Sequence, residues 1–169
     1  MFVVGVAVAV VLTFRHGLNW PLSRSEASRA QDAAIVLQHA GNPDVRQAVD
    51  VIRAIDGDTF LARVHRRDGR DLVTRVRLRG IDAPELKASC EAELAKAETA
   101  TDALRELLGQ GGVAIYNVGP DKYEGRVVAD VATKLTANVS AALLASGHVR
   151  SYNGGHRDGW CARGWRFWQ

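Results

Sequence analysis

The segment LVTRVRLRGI, Leu72–Ile81, alternates between two kinds of side chain, as a β-strand with one buried face does. One set comprises Leu72, Thr74, Val76 and Leu78, and the other comprises Val73, Arg75, Arg77 and Arg79. The alternation predicts a strand that places three arginines on a single face. The sequence DAPE, Asp82–Glu85, is expected to end this strand, because proline resists continuing a β-ladder.

Four more runs have the length and apolar content of short strands, and turn signals such as DGD and RRDGRD separate them. These strands are predicted at Val49–Ile55, Thr59–Arg66, Gly112–Val118 and Arg126–Thr133. A helix is predicted over Cys90–Leu108, with Ser89 as N-cap and with Leu94, Ala97, Leu104 and Leu108 on one stripe. A shorter helix begins at Asn138 and stops at Gly147.

The order of these elements is three strands, a helix, two strands and a helix. This order is typical of an α+β, mainly β fold in which five strands form a small Greek-key barrel of the OB type. An open α+β sheet is the alternative. Residues 49–155 are assigned to this domain.

Residues 1–22 are predicted to be a signal peptide or membrane anchor. The run from Phe2 to Leu12, extended by Thr13 and Phe14, is long enough for a signal sequence but short of the roughly 20 residues of a spanning helix. A buried core strand is the alternative. Export would place the protein in the periplasm, outside the cell, or on the membrane through residues 2–14.

Residues 23–48 are predicted to be a linker with a short helix that starts at the capping box Ser23–Glu26. Residues 156–169 form a tail whose aromatic residues either stack on bases or, as we favour, pack against the barrel. The aromatic residues of the tail are Trp160, Trp165, Phe167 and Trp168.

The net charge and the cysteine content only partly restrict which partner the chain binds and whether it contains a disulfide. A net charge of +3 and a pI near 9.1 permit a nucleic-acid partner without requiring one. Cys90 and Cys161 do not have the spacing of a zinc site. They are either one disulfide of an exported chain or two unrelated thiols.

Acidic residues cluster at the predicted strand ends, with Asp56 and Asp58 around Gly57 and with Asp82 and Glu85 in DAPE. If the first three strands form a meander, Asp58 and Asp82 lie at the same rim. Converging carboxylates suit a hard cation such as Ca²⁺. Each aspartate is equally well explained as a turn residue, so the residues alone favour neither explanation.

Two arginines complete a plausible phosphodiester-cleaving set: Arg77 on the third strand and Arg126 at the start of the fifth. A guanidinium group matches two phosphate oxygens. A cation would neutralise charge on phosphate, and a carboxylate would deprotonate water.

The motifs AIDGDT, RLRGIDAPE and DKYEGR, in this order, resemble the thermonuclease (staphylococcal nuclease-like) family. The resemblance covers about Val49 to Tyr152. It implies an OB barrel with helices and calcium-dependent hydrolysis of DNA and RNA phosphodiesters.

Position by position, the resemblance implies roles for nine residues. The calcium ligands are Asp58, Asp82 and the backbone carbonyl of Ala83, with Asp56 nearby; the general base is Glu85; the phosphate-binding arginines are Arg77 and Arg126; and Lys122 and Tyr123 contact a terminal phosphate.

The sequence departs from the family pattern at two places. DKYEGR has one residue more between Tyr123 and Arg126 than the commonest form, and the tail differs from a long final helix. Of the tyrosines that line the base pocket in the family, only Tyr152 has a clear match.

We therefore expect a monomeric, calcium-dependent nuclease that acts on DNA, RNA or both. The alternative is an OB-type module that binds nucleic acid or protein without catalysis. A structural domain at a membrane surface is a third, weaker hypothesis.

Overall fold

The computed structural model describes residues 24–39, 45–65, 69 and 71–161. The predicted signal or anchor segment and the tail residues Trp165, Phe167 and Trp168 lie outside these ranges. The described elements, in chain order, are α1 (Arg24–His39), β1 (Gln47–Asp56), β2 (Thr59–His65), β3 (Asp71–Leu78), β4 (Ile81–Asp82), α2 (Glu91–Gly109), β5 (Ala114–Pro120), β6 (Arg126–Ala132), α3 (Val139–Ala145) and β7 (Arg150–Ser151).

Five strands close into a barrel in the order β1-β2-β3-β6-β5, which confirms the predicted OB-type barrel over the open sheet. Strands β1, β2 and β3 form an antiparallel meander. Strand β6 pairs with β3 in parallel and with β5 antiparallel, and β5 closes the barrel onto β1. The closing contact is short, with Gln47 paired with Ile115 and Ala48 paired with Ala114.

The barrel interior is filled by the side chains that the alternation pattern assigned to the buried face. Leu72, Thr74, Val76 and Leu78 of β3 are all buried. Phe60 of β2 is completely buried, and burial of a side chain of this size stabilises a fold by about 1.5–3 kcal/mol.

Strand β3 ends earlier than predicted, at Leu78, and a turn separates it from β4. Gly80 in this turn has a positive φ of 79°, a conformation that favours glycine. Strand β4 then pairs with β7, so that Asp82 lies opposite Arg150. This small second sheet joins the DAPE segment to the C-terminal part of the chain.

Helix α2 packs on the barrel through small and apolar residues: Ala97, Ala100, Leu104 and Leu108 are buried. Two predictions about this helix were wrong. Leu94 is 38% exposed, because the buried stripe also includes Glu93, Ala100 and Thr101 and is therefore centred on another face. The N-cap is Cys90 rather than Ser89, and the Cys90 side chain makes no capping hydrogen bond.

The predicted short N-terminal helix is present as α1 and packs on the barrel. Ala33 and Val36 are buried in the core. The Asp32 carboxylate accepts a hydrogen bond from the backbone N–H of Val73, at 2.9 Å. Much of the segment assigned as a linker is therefore part of the packed structure.

The last helix begins as predicted. The Asn138 side chain accepts a hydrogen bond from the N–H of Ala141, which caps α3, and Leu143 anchors the helix in the core. Within the described ranges, no helix has both the length and the apolar character that crossing a membrane requires.

Candidate functional site

Strand register brings the predicted acidic residues to one rim of the barrel. Thr59 at the start of β2 pairs with Arg77 near the end of β3, which places Asp58 beside the β3–β4 connection. The backbone N–H of Ala83 donates to Asp58 Oδ2 at 3.1 Å. The expected convergence of the first turn and the DAPE segment is therefore present.

Gly57 lets this rim pack closely against α2. A Cβ atom at Gly57 would lie 2.6 Å from Ala100 Cβ and 2.9 Å from Ala83 Cβ, which is too close for real atoms. The backbone of Gly57 does not have the positive φ of a left-handed turn. The glycine, which lies in the turn between β1 and β2, is thus required by the close packing of this turn.

Asp58 and Arg77 form a buried ion pair at the centre of the rim. Arg77 Nη1 donates to Asp58 Oδ1 at 2.5 Å, and Arg77 Nη2 donates to the carbonyl of Ile81 at 3.0 Å. Thr59 Oγ1 adds a hydrogen bond to Asp58 Oδ1 at 2.8 Å. Because both partners are buried and well bonded, this pair fixes the geometry of the rim.

The pKa of Asp56 indicates that the rim has a negative electrostatic potential. Burial raises the pKa of Asp56 to about 6, and the negative charges of Asp58 and Glu85 add to this shift. A hydrogen bond from the N–H of Asp58 to Asp56 Oδ1, at 3.0 Å, opposes it. A carboxylate whose ionisation is disfavoured in this way indicates a site that would accept a cation or a proton.

Asp82 is buried and is surrounded by groups from the C-terminal segment. Its Oδ2 accepts from Arg150 Nη2 and from Trp160 Nε1, both at 3.3 Å. Arg157 Nε lies 3.1 Å from Oδ1. Among the described residues, however, Oδ1 accepts no hydrogen bond, so the Arg157 N–H is not aimed at it.

Arg157 connects Asp82 with the exposed carboxylate of Glu85, whose Oε1 lies 3.2 Å from Arg157 Nη1. Burial works against the charge of Arg157, but the Tyr152 hydrogen bond and the nearby carboxylates outweigh it and raise its pKa above the ordinary value. Sequence reasoning missed Arg150 and Arg157. The predicted Cys90–Cys161 bridge was the one signal that could have placed their segment near α2.

A cationic groove of about 620 Å³ opens beside the rim. Its lining includes Arg77, Arg79, Lys122, Arg126 and Arg157. Asp121 is the one acidic residue in that lining, and it forms two hydrogen bonds with Arg126, at 2.9 and 3.2 Å. The groove therefore suits an anionic ligand.

Arg126 is held at the groove wall by two neighbours. Burial would raise the pKa of Asp121, but hydrogen bonds and charge from Arg126 prevail and hold it below the usual range. The Arg126 guanidinium lies 4.6 Å from the centre of the Tyr123 ring, and Lys122 Nζ lies 5.0 Å from the same ring. Lys122, Tyr123 and Arg126 are thus brought together as one cluster.

The rim fits a hard cation by the chemistry of its donors. Asp58 and Asp82 supply two buried carboxylates, and the unbonded Asp82 Oδ1 is an oxygen without a hydrogen-bond donor. Across the described part of the chain, three side chains of metal-binding type come within 4.8 Å of one another at Cys90, Glu93 and Cys161, but the two cysteines form a disulfide and are not metal ligands. The proposed calcium ligands are the side chains of Asp58 and Asp82 and the backbone carbonyl of Ala83. They include only two side chains, so they would not form a group of three side chains of this kind.

Cys90 and Cys161 form a disulfide, so the prediction of one bridge is confirmed and the alternative of two free thiols is wrong. The bridge ties the start of α2 to the end of the described C-terminal segment. Trp160 packs against the domain as favoured, with the Arg150 guanidinium 3.7 Å from its ring centre.

Comparison with family models matches residues 75–158 to the family described as staphylococcal nuclease homologue. The match contains Arg77, Asp82, Glu85 and Arg126, whereas Asp58 lies before it. A comparison with curated proteins finds no match. This family is typically calcium dependent.

Proposed function

The chain belongs to the staphylococcal nuclease homologue family, and from this premise we propose that it is a calcium-dependent nuclease that hydrolyses phosphodiester bonds of DNA, RNA or both. In this proposal Asp58, Asp82 and the backbone carbonyl of Ala83 hold the cation, with Asp56 close by. Glu85 is the general base.

The observation that carries the proposal is the position of Arg77. Its guanidinium lines the cationic groove and also bonds the buried Asp58 carboxylate. A phosphate that enters the groove would therefore lie next to the carboxylate rim. Metal-assisted phosphodiester cleavage by the proposed route uses this combination of positive charge on the phosphate oxygens and carboxylates beside them.

In the proposed reaction, each group of residues has a separate role. A bound calcium ion would supply a Lewis acid that polarises the phosphate. Arg77 and Arg126 hold the non-bridging oxygens, and the Asp121 pair uses Nε and Nη2 of Arg126, so Nη1 is available. Glu85 takes a proton from the attacking water, the new P–O bond forms, the bond to the leaving oxygen breaks, and the leaving oxygen takes up a proton from solvent water.

Lys122 and Tyr123 are proposed to contact a terminal phosphate of the bound strand. Lys122 lines the groove, and Tyr123 is 55% exposed beside Arg126. A phosphate there would meet a cation and a hydroxyl without any rearrangement of the core.

A binding module without catalysis is the second candidate, and one observation favours it. The candidate acidic residues contact arginines rather than facing open space: Asp58 contacts Arg77, and both Asp82 and Glu85 contact Arg157. A domain that only binds nucleic acid could keep these pairs permanently.

Export is proposed for the chain, to the periplasm, to the exterior, or to a membrane through residues 2–14. The Cys90–Cys161 disulfide supports this, because disulfides persist in oxidising compartments. We propose that the enzyme acts as a monomer, since the groove and the rim are both built by one chain.

The experiment that separates the two candidates compares binding with cleavage for the wild type and Glu85→Gln. The glutamine keeps the shape of the side chain but cannot accept the proton, so cleavage should fall about 10²–10⁴-fold. Binding of DNA should persist, because both arginines of the clamp remain. A wild type that binds DNA and never cleaves it with calcium present would establish the binding module instead.

A further inference from the structure

We propose that Arg157 is a third phosphate-binding arginine, which the C-terminal segment supplies to the groove. This inference rests on the proposed nucleic-acid substrate. Arg157 lines the same groove as Arg77 and Arg126 but comes from a different part of the fold, beyond β7. Arginine in such a position offers a planar fork that matches two phosphate oxygens.

The acidic neighbours of Arg157 determine where its guanidinium lies. Nε is 3.1 Å from Asp82 Oδ1, and Nη1 is 3.2 Å from Glu85 Oε1. Only the first contact involves a buried carboxylate, because the Glu85 side chain is 57% exposed. The positive charge is therefore held at the boundary between the carboxylate rim and the groove, where a phosphate next to the proposed general base would lie.

The geometry of the Asp82 contact indicates that Arg157 can exchange partners. Asp82 Oδ1 accepts no hydrogen bond among the described residues, although Arg157 Nε is close to it. The attraction is therefore mainly one of charge. Once a cation or an approaching phosphate changes that charge balance, the guanidinium can turn to the phosphate, exchanging this contact and the 3.2 Å hydrogen bond to the exposed Glu85 for bonds to phosphate oxygens.

The backbone on both sides of Arg157 is fixed, so this arginine has a defined place. On one side, the N–H of Tyr152 donates to the carbonyl of Gly80 at 2.9 Å. On the other side, Arg150 Nη2 donates to the carbonyl of Asp158 at 2.6 Å, and Cys161 is bonded to Cys90. The fixed segment limits the entropy that Arg157 would lose on binding phosphate.

A purely structural role for Arg157, as counter-charge to Asp82 and Glu85, makes a different prediction. Removal of a structural counter-charge disturbs the rim and weakens binding of cation and nucleic acid together. Removal of a phosphate-binding arginine weakens nucleic-acid binding, while the less compensated carboxylates bind calcium as well as before or more tightly. Measuring calcium binding and nucleic-acid binding in the same variant therefore distinguishes the structural role of Arg157 from the phosphate-binding role.

The test uses Arg157→Gln in the full chain, with Arg105→Gln as the matched control. Arg105 is an exposed α2 arginine paired with Asp102, outside the groove lining. Binding of a single-stranded DNA oligonucleotide is measured in chelator over a range of salt concentrations, and calcium affinity is measured without DNA. Intact disulfide and unchanged circular dichroism establish that each variant is folded.

For Arg157→Gln we expect DNA binding to weaken about tenfold or more, with the salt dependence reduced by about one unit of slope. Calcium affinity should be unchanged or higher, and Arg105→Gln should match the wild type in both. Equal DNA binding by the two variants would overturn the proposal. So would a parallel loss of calcium and DNA binding in Arg157→Gln.

Arg157→Lys provides a second variant that keeps the charge opposite Asp82 and Glu85, so it tests the role even if the glutamine variant does not fold. Lysine lacks the planar fork, and its DNA binding should fall between those of the wild type and Arg157→Gln. Wild-type affinity in Arg157→Lys would overturn the proposed contact of the guanidinium fork with two phosphate oxygens, whether or not Arg157→Gln folds, because lysine keeps the charge but not the fork. Because binding is measured in chelator, a wild type that fails to cleave DNA refutes the nuclease but leaves this test intact.

Discussion

The two parts of the site are built in different ways. The barrel rim joins Arg77 of β3 to Asp58, the residue just before β2, and the pairing of these two strands is fixed over a buried core. The C-terminal segment, residues 150–161, reaches the same site through a two-residue strand and a disulfide. Both parts place arginines on carboxylates, but Arg77 stands on a long barrel strand, whereas Arg150 lies in a two-residue strand and Arg157 lies beyond it.

Because the two parts are built differently, the stability of the rim and that of the C-terminal segment need not change together. The Asp58–Arg77 pair is buried and is tied into β2 and β3, so its opening requires disruption of the barrel. Arg150 and Arg157 are partly exposed, and their segment is held by a two-residue strand pairing, side-chain contacts and the disulfide rather than by long barrel strands. Local opening should therefore begin in the C-terminal segment.

The largest effect is expected from Arg77→Ala in chelator. It leaves the Asp58 carboxylate buried without its cation, and loss of one partner of a buried pair costs about 3–5 kcal/mol. The free energy of unfolding from urea denaturation provides the measurement, and the exposed Arg105→Ala is the control, which should stay close to wild type. Equal stabilities of the two variants would show that the rim is not a rigid unit.

Removal of the disulfide by combined Cys90→Ser and Cys161→Ser should have the next largest effect. The bridge spans a sequence separation of 71. Its loss should lower the free energy of unfolding by about 2–4 kcal/mol. Hydrogen exchange should show lost protection in residues 150–161 and retained protection in β2 and β3. Protection lost equally from the barrel strands would remove the distinction between the two parts.

Gly57→Ala tests the close packing of the rim on α2. The added Cβ would overlap Ala100 and Ala83, and overpacking of this kind costs about 1–3 kcal/mol. Gly109→Ala is the matched control, because no atom lies within 4 Å of a Cβ built there. Thermal unfolding of both variants decides the point, and a Gly57→Ala variant as stable as the Gly109→Ala control would contradict the packing account.

The smallest effect is a pH dependence that arises from Asp56. Its pKa is about 6 in the folded protein, above the ordinary value of 3.8, so the folded state binds the proton more tightly than the unfolded state. The stability that Asp56 contributes is complete below pH 3.8 and is lost as the pH rises through about 6. In chelator, Asp56→Asn should abolish this decline. An unchanged pH profile in the variant would argue against the negative potential of the rim.

The barrel and its rim were predictable because their signals are local. Alternation in β3 determines which face is buried, and the antiparallel meander then brings Asp58 to the DAPE segment. Three ordered motifs supplied the family, which the match over residues 75–158 confirmed.

The contribution of the C-terminal segment was not predictable, because it depends on distant contacts. Arg150 reaches Asp82 across a sequence separation of 68, and neither Arg150 nor Arg157 lies in a periodic pattern. Helix α1 shows the same limitation: its capping signal predicted a helix, but nothing local indicated that Asp32 bonds β3.

The most direct test of the central claim measures the initial rate of DNA cleavage against free calcium for the wild type and Asp82→Asn. Extracellular calcium sites often have dissociation constants of roughly 10⁻⁴–10⁻³ M, so the titration must extend above this range. We expect the wild type to cleave DNA with saturating calcium and not in chelator. Asp82→Asn loses a buried anionic ligand and should cleave poorly at every calcium concentration. Full cleavage by the wild type in chelator, or by Asp82→Asn at the wild-type calcium midpoint, would contradict the central claim.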